Sequence, residues 1–213
     1  KWRTKPRMQL MQPRSSPSVP SKIGLLMSKK IITTAELVAN RLIVWNPKEG
    51  SELYRLGFYG KPIGIPKPKT PEFDTPLTLD LIEGLYLLEK GVIKIVEKPK
   101  RRKITAKTLI KRAEKAYEDF SLKYMVYKDL REHGYVIQPG IKFGCDFAVY
   151  EHGPGIDHAP YMVQVRRGDE LVTATEIVRA GRLATTVKKR FIVAVPNEKT
   201  NEVRYLMFKW WRA

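Results

Sequence analysis

The sequence predicts an α/β (α+β) fold, in which a small N-terminal α/β domain is followed by a C-terminal mixed-sheet domain with covering helices. The chain has 213 residues, of which 43% are hydrophobic, enough for one large or two small domains with a buried core. Short apolar segments with strand character alternate with stretches whose apolar residues recur at helical spacing. We expect residues 1–22 to form a basic flexible arm, residues 23–103 the N-terminal domain and residues 104–213 the C-terminal domain.

The first segment is basic and rich in proline. Residues 1–35 contain eight lysines and arginines and no acidic residue, and Pro13, Pro17 and Pro20 interrupt a polar stretch with serines. Such a composition buries too little apolar surface to order the chain. The segment therefore predicts a flexible arm up to about Lys22.

The N-terminal domain begins with short strands. Residues 31–33 and 42–45 are apolar segments with strand character. Residues 61–71 are rich in proline and lysine, and this composition is incompatible with a helix. They therefore predict a loop.

A helix follows that loop. Thr78 is in position to cap its start and Gly91 lies just after its end. The apolar residues at helical spacing between them are Leu79, Leu81, Ile82, Leu85, Tyr86 and Leu88. A strand over residues 92–96 comes next, and the basic residues 98–103 are the expected connection between the domains.

The C-terminal domain is predicted to be a sheet with helices. Apolar residues at helical spacing follow Thr105 and end at Gly134, with a break near Ser121. A covering helix is predicted over residues 175–188. Strands are predicted over residues 143–150, 161–166, 191–195 and 203–208.

The charge and the cysteine content of the chain exclude several classes of protein. The 40 lysines and arginines outnumber the 22 acidic residues, and the formal net charge of +18 predicts a polyanionic partner. No apolar segment is long enough to span a membrane, and no secretory signal is present, so we expect a cytoplasmic protein without a membrane partner. One cysteine, Cys145, and three histidines provide neither a disulfide framework nor a zinc ligand set.

Nucleotide and metal chemistry have little support in the sequence. No phosphate-binding glycine motif is present. Asp146 is the only acidic residue in residues 143–149, and residues 161–166 contain none, whereas a magnesium-dependent nuclease needs clustered carboxylates. We therefore predict no metal and no cofactor, and we interpret Asp146 as a structural residue that bonds to nearby backbone.

Acid–base chemistry without a metal is the alternative, because RNA carries its own nucleophile, the 2′-hydroxyl. Tyr150 ends a predicted strand, His158 follows a glycine-proline turn and Lys189 ends a predicted helix, so all three are candidates for one edge of the sheet. Each also has an ordinary structural interpretation, as a core-edge tyrosine, a solvated histidine and a helix-end lysine. His133, at a helix end, and His152 are competing histidines.

Several segments together resemble the archaeal tRNA-splicing endonucleases. They are YMVYKDLREHGY at residues 124–135, GIKFGCDFAVY at 140–150, HAPY at 158–161 and RLATTVKK at 182–189, with residues 53–62 and 83–88 resembling the smaller N-terminal domain of that family. The resemblance covers roughly residues 50–211, and the combination is more specific than any single motif.

The resemblance implies an endonuclease that removes introns from precursor tRNA at bulge-helix-bulge sites. It implies Tyr150 as general base, His158 as general acid and Lys189 as the cation that stabilises the transition state, leaving 2′,3′-cyclic phosphate and 5′-hydroxyl ends. Arg182 and Arg204 match the family's RNA-binding arginines, which stack on a bulged base. A free tyrosine has a pKa of about 10, so we expect a neighbouring cation, Lys189, to lower it.

The resemblance also implies an oligomer. One catalytic repeat per chain fits a homotetramer or, as we favour, a heterotetramer with a structural subunit, because the loop over residues 196–202 is only weakly acidic. The apolar C-terminus, residues 206–211, is either a subunit interface or a core strand. A non-catalytic RNA-binding subunit, a metal-dependent nuclease and a simple RNA-binding module remain the alternative functions.

Overall fold

The chain forms two compact units. The computed structural model describes residues 6–11, 31–66, 68–186 and 188–210, and these contain two β-sheets and five α-helices, which confirms the predicted fold class. Residues 20–121 form the N-terminal unit, and residues 122–213 form the C-terminal unit together with residues 1–19. Within the first segment, Pro6–Met11 form strand β1.

The N-terminal unit is a six-stranded mixed sheet with helices. Its elements are β2 (Thr33–Val38), β3 (Arg41–Val44), α1 (Pro47–Gly57), β4 (Lys61–Pro62), β5 (Leu77–Leu79), α2 (Leu81–Glu89), β6 (Ile93–Glu97), β7 (Arg102–Lys103) and α3 (Ala106–Ala116). The strand order is β4-β5-β3-β2-β6-β7, with β2 and β6 parallel and the other pairs antiparallel. Leucine and isoleucine side chains from the sheet and from α2 are fully buried in its core.

Helix α2 confirms the predicted helix but not its predicted cap. The carboxylate of Asp80 accepts a hydrogen bond from the backbone N–H of Ile82 at 3.2 Å, and the Glu83 carboxylate accepts one from the N–H of Asp80 at 2.9 Å. This reciprocal capping box satisfies N–H groups that the helix itself leaves unpaired. Thr78, the expected cap, lies in β5. The other oxygen of Glu83 accepts from the N–H of Gly60 at 3.0 Å, so the buried carboxylate also fixes the turn before β4.

The sequence predicted that residues 98–103 connect the two units. They instead form a turn and a strand of the N-terminal unit. Glu97 of β6 pairs with Arg102 of β7, and this antiparallel pairing keeps the segment in the N-terminal sheet. The carboxylate of Glu97 also binds the guanidinium of Arg112 in α3, at 2.5 and 2.9 Å. The boundary between the units lies instead between Ser121 and Leu122.

The C-terminal unit is a second six-stranded mixed sheet. Its further elements are α4 (Phe120–Glu132), β8 (Val136–Pro139), a 3-10 turn (Ile141–Phe143), β9 (Phe147–Tyr150), β10 (Tyr161–Val165), α5 (Ala174–Thr186), β11 (Arg190–Asn197) and β12 (Glu202–Trp210). The strand order is β1-β12-β11-β10-β9-β8. Strands β10 and β11 run parallel, and α5 lies in the crossover between them. The break predicted near Ser121 falls between the end of α3 and the start of α4, where Asp119 has a φ of 54°.

The sequence prediction of a flexible arm is wrong for part of the first segment. Pro6–Met11 form β1, which pairs antiparallel with β12 from Trp210 to Tyr205. Backbone pairing with an otherwise open sheet edge compensates for the ordering of this polar segment. The remaining residues of the predicted arm lie outside the described part of the chain.

Part of the apolar C-terminus, which the sequence left as either a subunit interface or a core strand, packs in the core of the C-terminal unit. Cys145, Met162, Phe191 and Val193 form a buried cluster on which Leu206 packs. Met207 is also buried. These two C-terminal side chains therefore belong to the fold of this chain, whereas the side chains of residues 208–211 lie outside the described part.

No helix in the described residues is sufficiently long and apolar to cross a membrane.

The turn before β9 gives a test of this packing. A Cβ atom on Gly140 would lie 2.6 Å from the sulfur of Cys145, 2.7 Å from its carbonyl oxygen and 2.8 Å from the N atom of Phe147. We expect Gly140→Ala to lower the free energy of unfolding by about 1–3 kcal/mol, because the backbone must move to make room. Gly168→Ala is the matched control, since its Cβ would meet only Val195 at 3.8 Å. Urea denaturation should separate the two variants; equal stabilities would contradict the packing described.

Candidate active site

The register of three central strands determines where the predicted residues lie. Tyr161 of β10 lies between Val149 of β9 and Arg190 of β11. Because β9 runs antiparallel and β11 parallel to β10, the next row contains Tyr150 and Lys189. Neighbouring strands are about 4.8 Å apart, so the Cα atoms of these two residues are roughly 10 Å apart, on the same face of the sheet.

His158 reaches the same end of the sheet through the chain that enters β10. It lies two residues before Pro160, whose carbonyl oxygen accepts a hydrogen bond from the N–H of Arg190 at 2.8 Å. Its side chain is exposed and has no hydrogen-bond partner among the described residues. The structure thus brings the segments of Tyr150, His158 and Lys189 to one end of this sheet.

Lys189 is fixed beside the histidine segment. Its ammonium donates a hydrogen bond to the carbonyl oxygen of Ala159, the residue after His158, at 2.5 Å. It also lies 5.1 Å from the centre of the Phe143 ring, a cation–π contact. An ammonium has three N–H donors, so others remain for an anion.

Tyr150 is half-buried, and its environment opposes ionisation. Burial and, second, the negative charge of Asp157 raise the pKa of Tyr150. The expectation that Lys189 lowers this pKa is therefore wrong for the protein without RNA. The ammonium of Lys189 is held at Ala159, whereas the charge that acts on the phenol is the carboxylate of Asp157.

Asp157, which was not among the residues predicted from the sequence, organises the loop between Tyr150 and His158. One carboxylate oxygen accepts from the N–H groups of Glu151 and His152, both at 3.1 Å, and the other accepts from Gly153 at 2.9 Å. Glu151 directly follows Tyr150, and Asp157 directly precedes His158. One carboxylate therefore ties both ends of the loop together. The available signal was an aspartate at the end of a glycine-proline turn, a residue type that commonly binds nearby backbone.

Asp146 has the structural role that the sequence predicted. Its carboxylate accepts from the N–H of Val165 at 2.8 Å and from the side chain of Gln164 at 2.7 Å, and it pairs with Lys123 at 3.0 Å. In the described residues, no three histidine, cysteine or acidic side chains are grouped so that they could hold a metal ion.

His133 and the two predicted RNA-binding arginines lie apart from this row. The ring of His133 contacts the carbonyl oxygen of Asp129 at 2.8 Å at the end of α4, the predicted structural position. Arg182 is exposed on α5, and Arg204 is exposed on β12 opposite Val195. That position is five residues along β11 from Arg190, or roughly 17 Å. No contact in the described residues joins either arginine to Tyr150, His158 or Lys189.

Comparison with known families matches both units. Residues 33–110 match the family model of the tRNA intron endonuclease N-terminal domain, and residues 120–205 match that of the tRNA intron endonuclease catalytic C-terminal domain. All five candidate residues lie within the second match.

Individual relatives carry consistent names. The chain is 47% identical over 176 residues to a tRNA-splicing endonuclease of Hyperthermus butylicus. It is 44% and 42% identical, over 177 residues, to proteins of that name from Saccharolobus solfataricus and Saccharolobus islandicus. Each alignment covers 83% of this chain and 97% of the relative.

The charge of Asp157 can be tested on the titration of Tyr150. We expect Asp157→Asn to lower the pKa of Tyr150, because the variant removes a negative charge, while burial still opposes ionisation. The measurement is a pH titration of the ¹³C-labelled tyrosine signal by NMR. Asp169→Asn, at an exposed aspartate outside the loop, is the control. A Tyr150 titration that is the same in all three proteins would contradict the electrostatic role of Asp157.

Proposed function

Because the chain belongs to the tRNA intron endonuclease family, whose members remove introns from precursor tRNA, we propose that it cuts RNA at bulge-helix-bulge sites. In this proposal the reaction needs no metal ion and leaves 2′,3′-cyclic phosphate and 5′-hydroxyl ends. The observation that carries this proposal is the convergence of Tyr150, His158 and Lys189 at one end of the C-terminal sheet. Tyrosine, histidine and lysine are the residue types that such a reaction needs.

The proposed reaction is an internal phosphoryl transfer. The 2′-oxygen beside the cleaved bond attacks the phosphorus atom, and Tyr150, in its phenolate form, accepts the 2′-hydroxyl proton. The bond to the 5′-oxygen then breaks, and His158 donates a proton to that leaving oxygen. Lys189 stabilises the additional negative charge that the phosphate carries in the transition state. Water takes no part in this step, so the phosphate remains cyclic.

The groups are suited to these roles by their surroundings. The exposed imidazole of His158 is open to the RNA, and the ammonium of Lys189 is held in place by the Ala159 carbonyl. A tyrosine with its ordinary pKa of about 10 is already protonated at neutral pH, and burial and Asp157 raise the pKa of Tyr150 further. To act as the base, the phenol must first release this proton to solvent, so we infer that the cleavage rate depends on how readily Tyr150 ionises.

Arg182 and Arg204 have a separate role in the proposal. Both guanidinium groups are exposed, and planar guanidinium groups stack well on unpaired bases. We call Tyr150, His158 and Lys189 the catalytic row. The distance of Arg204 from the catalytic row indicates that this arginine contacts RNA away from the phosphate cut by the same chain. We propose that the two arginines bind bulged bases.

A bulge-helix-bulge substrate has two cleavage sites, whereas one chain carries one catalytic row. We therefore propose an oligomer with at least two catalytic chains, either a homotetramer or a heterotetramer with a structural subunit. The alternative function is a non-catalytic RNA-binding subunit, which would not need all three catalytic residue types.

The test is cleavage of an intron-containing precursor tRNA in EDTA, with analysis of the RNA ends. We expect cyclic phosphate ends, and we expect His158→Ala and Tyr150→Phe each to slow single-turnover cleavage by roughly 10²–10⁴-fold, the usual effect of removing a positioned acid or base. His152→Ala is the matched control, because it is an exposed histidine in the same loop.

A requirement for magnesium, or loss of activity in His152→Ala but not in His158→Ala, would overturn the assignment. If the chain alone cuts nothing, the same variants are compared after addition of a structural subunit. Continued inactivity of the wild-type chain in that complex would favour the RNA-binding alternative.

A further inference from the structure

The N-terminal unit carries a strongly basic surface that the catalytic assignment does not use. We propose that this surface binds the phosphate backbone of the RNA substrate outside the candidate active site. We call it the α3 basic face, and it consists of Arg102 of β7 and Lys107, Lys111, Arg112 and Lys115 of α3. None of these residues belongs to the unit that contains the catalytic row.

Three lysines form a row along α3. Lys107, Lys111 and Lys115 are all exposed and follow one another at four-residue intervals, or about 6 Å along the helix axis. Like charges at this spacing repel each other and destabilise a helix. Among the described residues, none of the three has an acidic partner. A bound polyanion would offset this repulsion.

Two of the nearby carboxylates, Glu97 and Glu114, are already engaged, whereas Glu118 and Asp119 lie beyond the end of α3. Residues 98–115 contain nine lysines and arginines but only one acidic residue, Glu114. Glu114 accepts a hydrogen bond from the hydroxyl of Ser121 at 2.8 Å. Glu97 binds Arg112 at 2.5 and 2.9 Å and Arg102 at 3.4 Å. These contacts hold the two arginines in position and leave the lysines uncompensated.

A groove in the same surface is large enough for a phosphate group and its neighbours. It has a volume of about 570 Å³ and is lined by Arg102, Lys111, Arg112 and Lys115, by the hydroxyl-bearing Thr108 and by one acidic residue, Glu114. Lysine and arginine supply charge-assisted hydrogen bonds to phosphate oxygens, and a threonine hydroxyl adds a neutral donor.

Protection of a sheet edge does not account for the whole surface. Strand β7 is an edge strand, and lysine or arginine there prevents pairing with other chains. The α3 lysines, however, lie on a helix and not on the edge. Repeated lysines without exposed aromatic partners are typical of phosphate contacts, which position a nucleic acid without reading its sequence. The RNA-binding role of the α3 basic face rests on the proposed RNA substrate, but it does not depend on the assignment of Tyr150, His158 and Lys189 as catalytic residues.

The experiment compares two variants that lose the same charge. Lys111→Gln/Lys115→Gln removes two lysines of the α3 basic face, and Lys61→Gln/Lys69→Gln removes two exposed lysines elsewhere in the same unit. Binding of a precursor tRNA whose splice-site 2′-hydroxyls are replaced by hydrogen is measured by fluorescence anisotropy at several salt concentrations. A gel verifies that the RNA stays intact, so binding is measured apart from cleavage.

We expect the first variant to bind roughly tenfold more weakly at about 0.1 M salt, with a slope of log Kd against log salt lower by about two, one for each lost phosphate contact. The control variant should retain the wild-type slope. Equal losses in both variants would show an effect of net charge alone and would overturn the proposal. Unchanged RNA binding would also overturn it. In that case, an altered sedimentation coefficient in the first variant alone would identify the face as a protein interface.

Discussion

Strands β10 and β11 run side by side in the same direction, and their pairing requires a crossover that the chain makes through α5. This one constraint brings the entry of β10 and the entry of β11 to the same end of the sheet. The antiparallel strand β9 ends there too. Hydrogen bonds from Arg190 to Pro160 and from Lys189 to Ala159 continue the contact beyond the sheet into the loop that carries His158. Tyr150, His158 and Lys189 are far apart in sequence, and the strand order brings their segments to one end of the sheet.

Three aspartates of the C-terminal unit are bound within the fold. Asp146 and Asp157 both accept hydrogen bonds from backbone N–H groups, and Asp129 accepts one from the hydroxyl of Tyr205. A carboxylate bound in this way spreads its charge over several donors. These carboxylates therefore hold together strands and loops of the C-terminal unit.

The sequence predicted most of the elements, because apolar spacing is a strong signal in helix α2 and in β10 to β12. The prediction failed where a local contact outweighs the spacing of apolar residues. The cap of α2 is Asp80 because Glu83 completes the capping box, and helix α1 was missed although Asn46 and Pro47 are a common helix start. The position of Tyr150 and Lys189 at one end of the sheet was predictable, since strand ends are marked by turns. Asp157 was not, because its three backbone partners depend on how the loop folds back on itself.

Cys145, the only cysteine of the chain, is enclosed by the core cluster between β9, β10 and β11. Burial, together with the charge of the adjacent Asp146, raises the pKa of its thiol to about 11. Reagents that modify cysteine attack the thiolate, which is scarce here at neutral pH, and they have no access to the side chain. The natural chain is therefore a ready background for attaching a single fluorophore or cross-linker at any introduced surface cysteine, with the native thiol left in place.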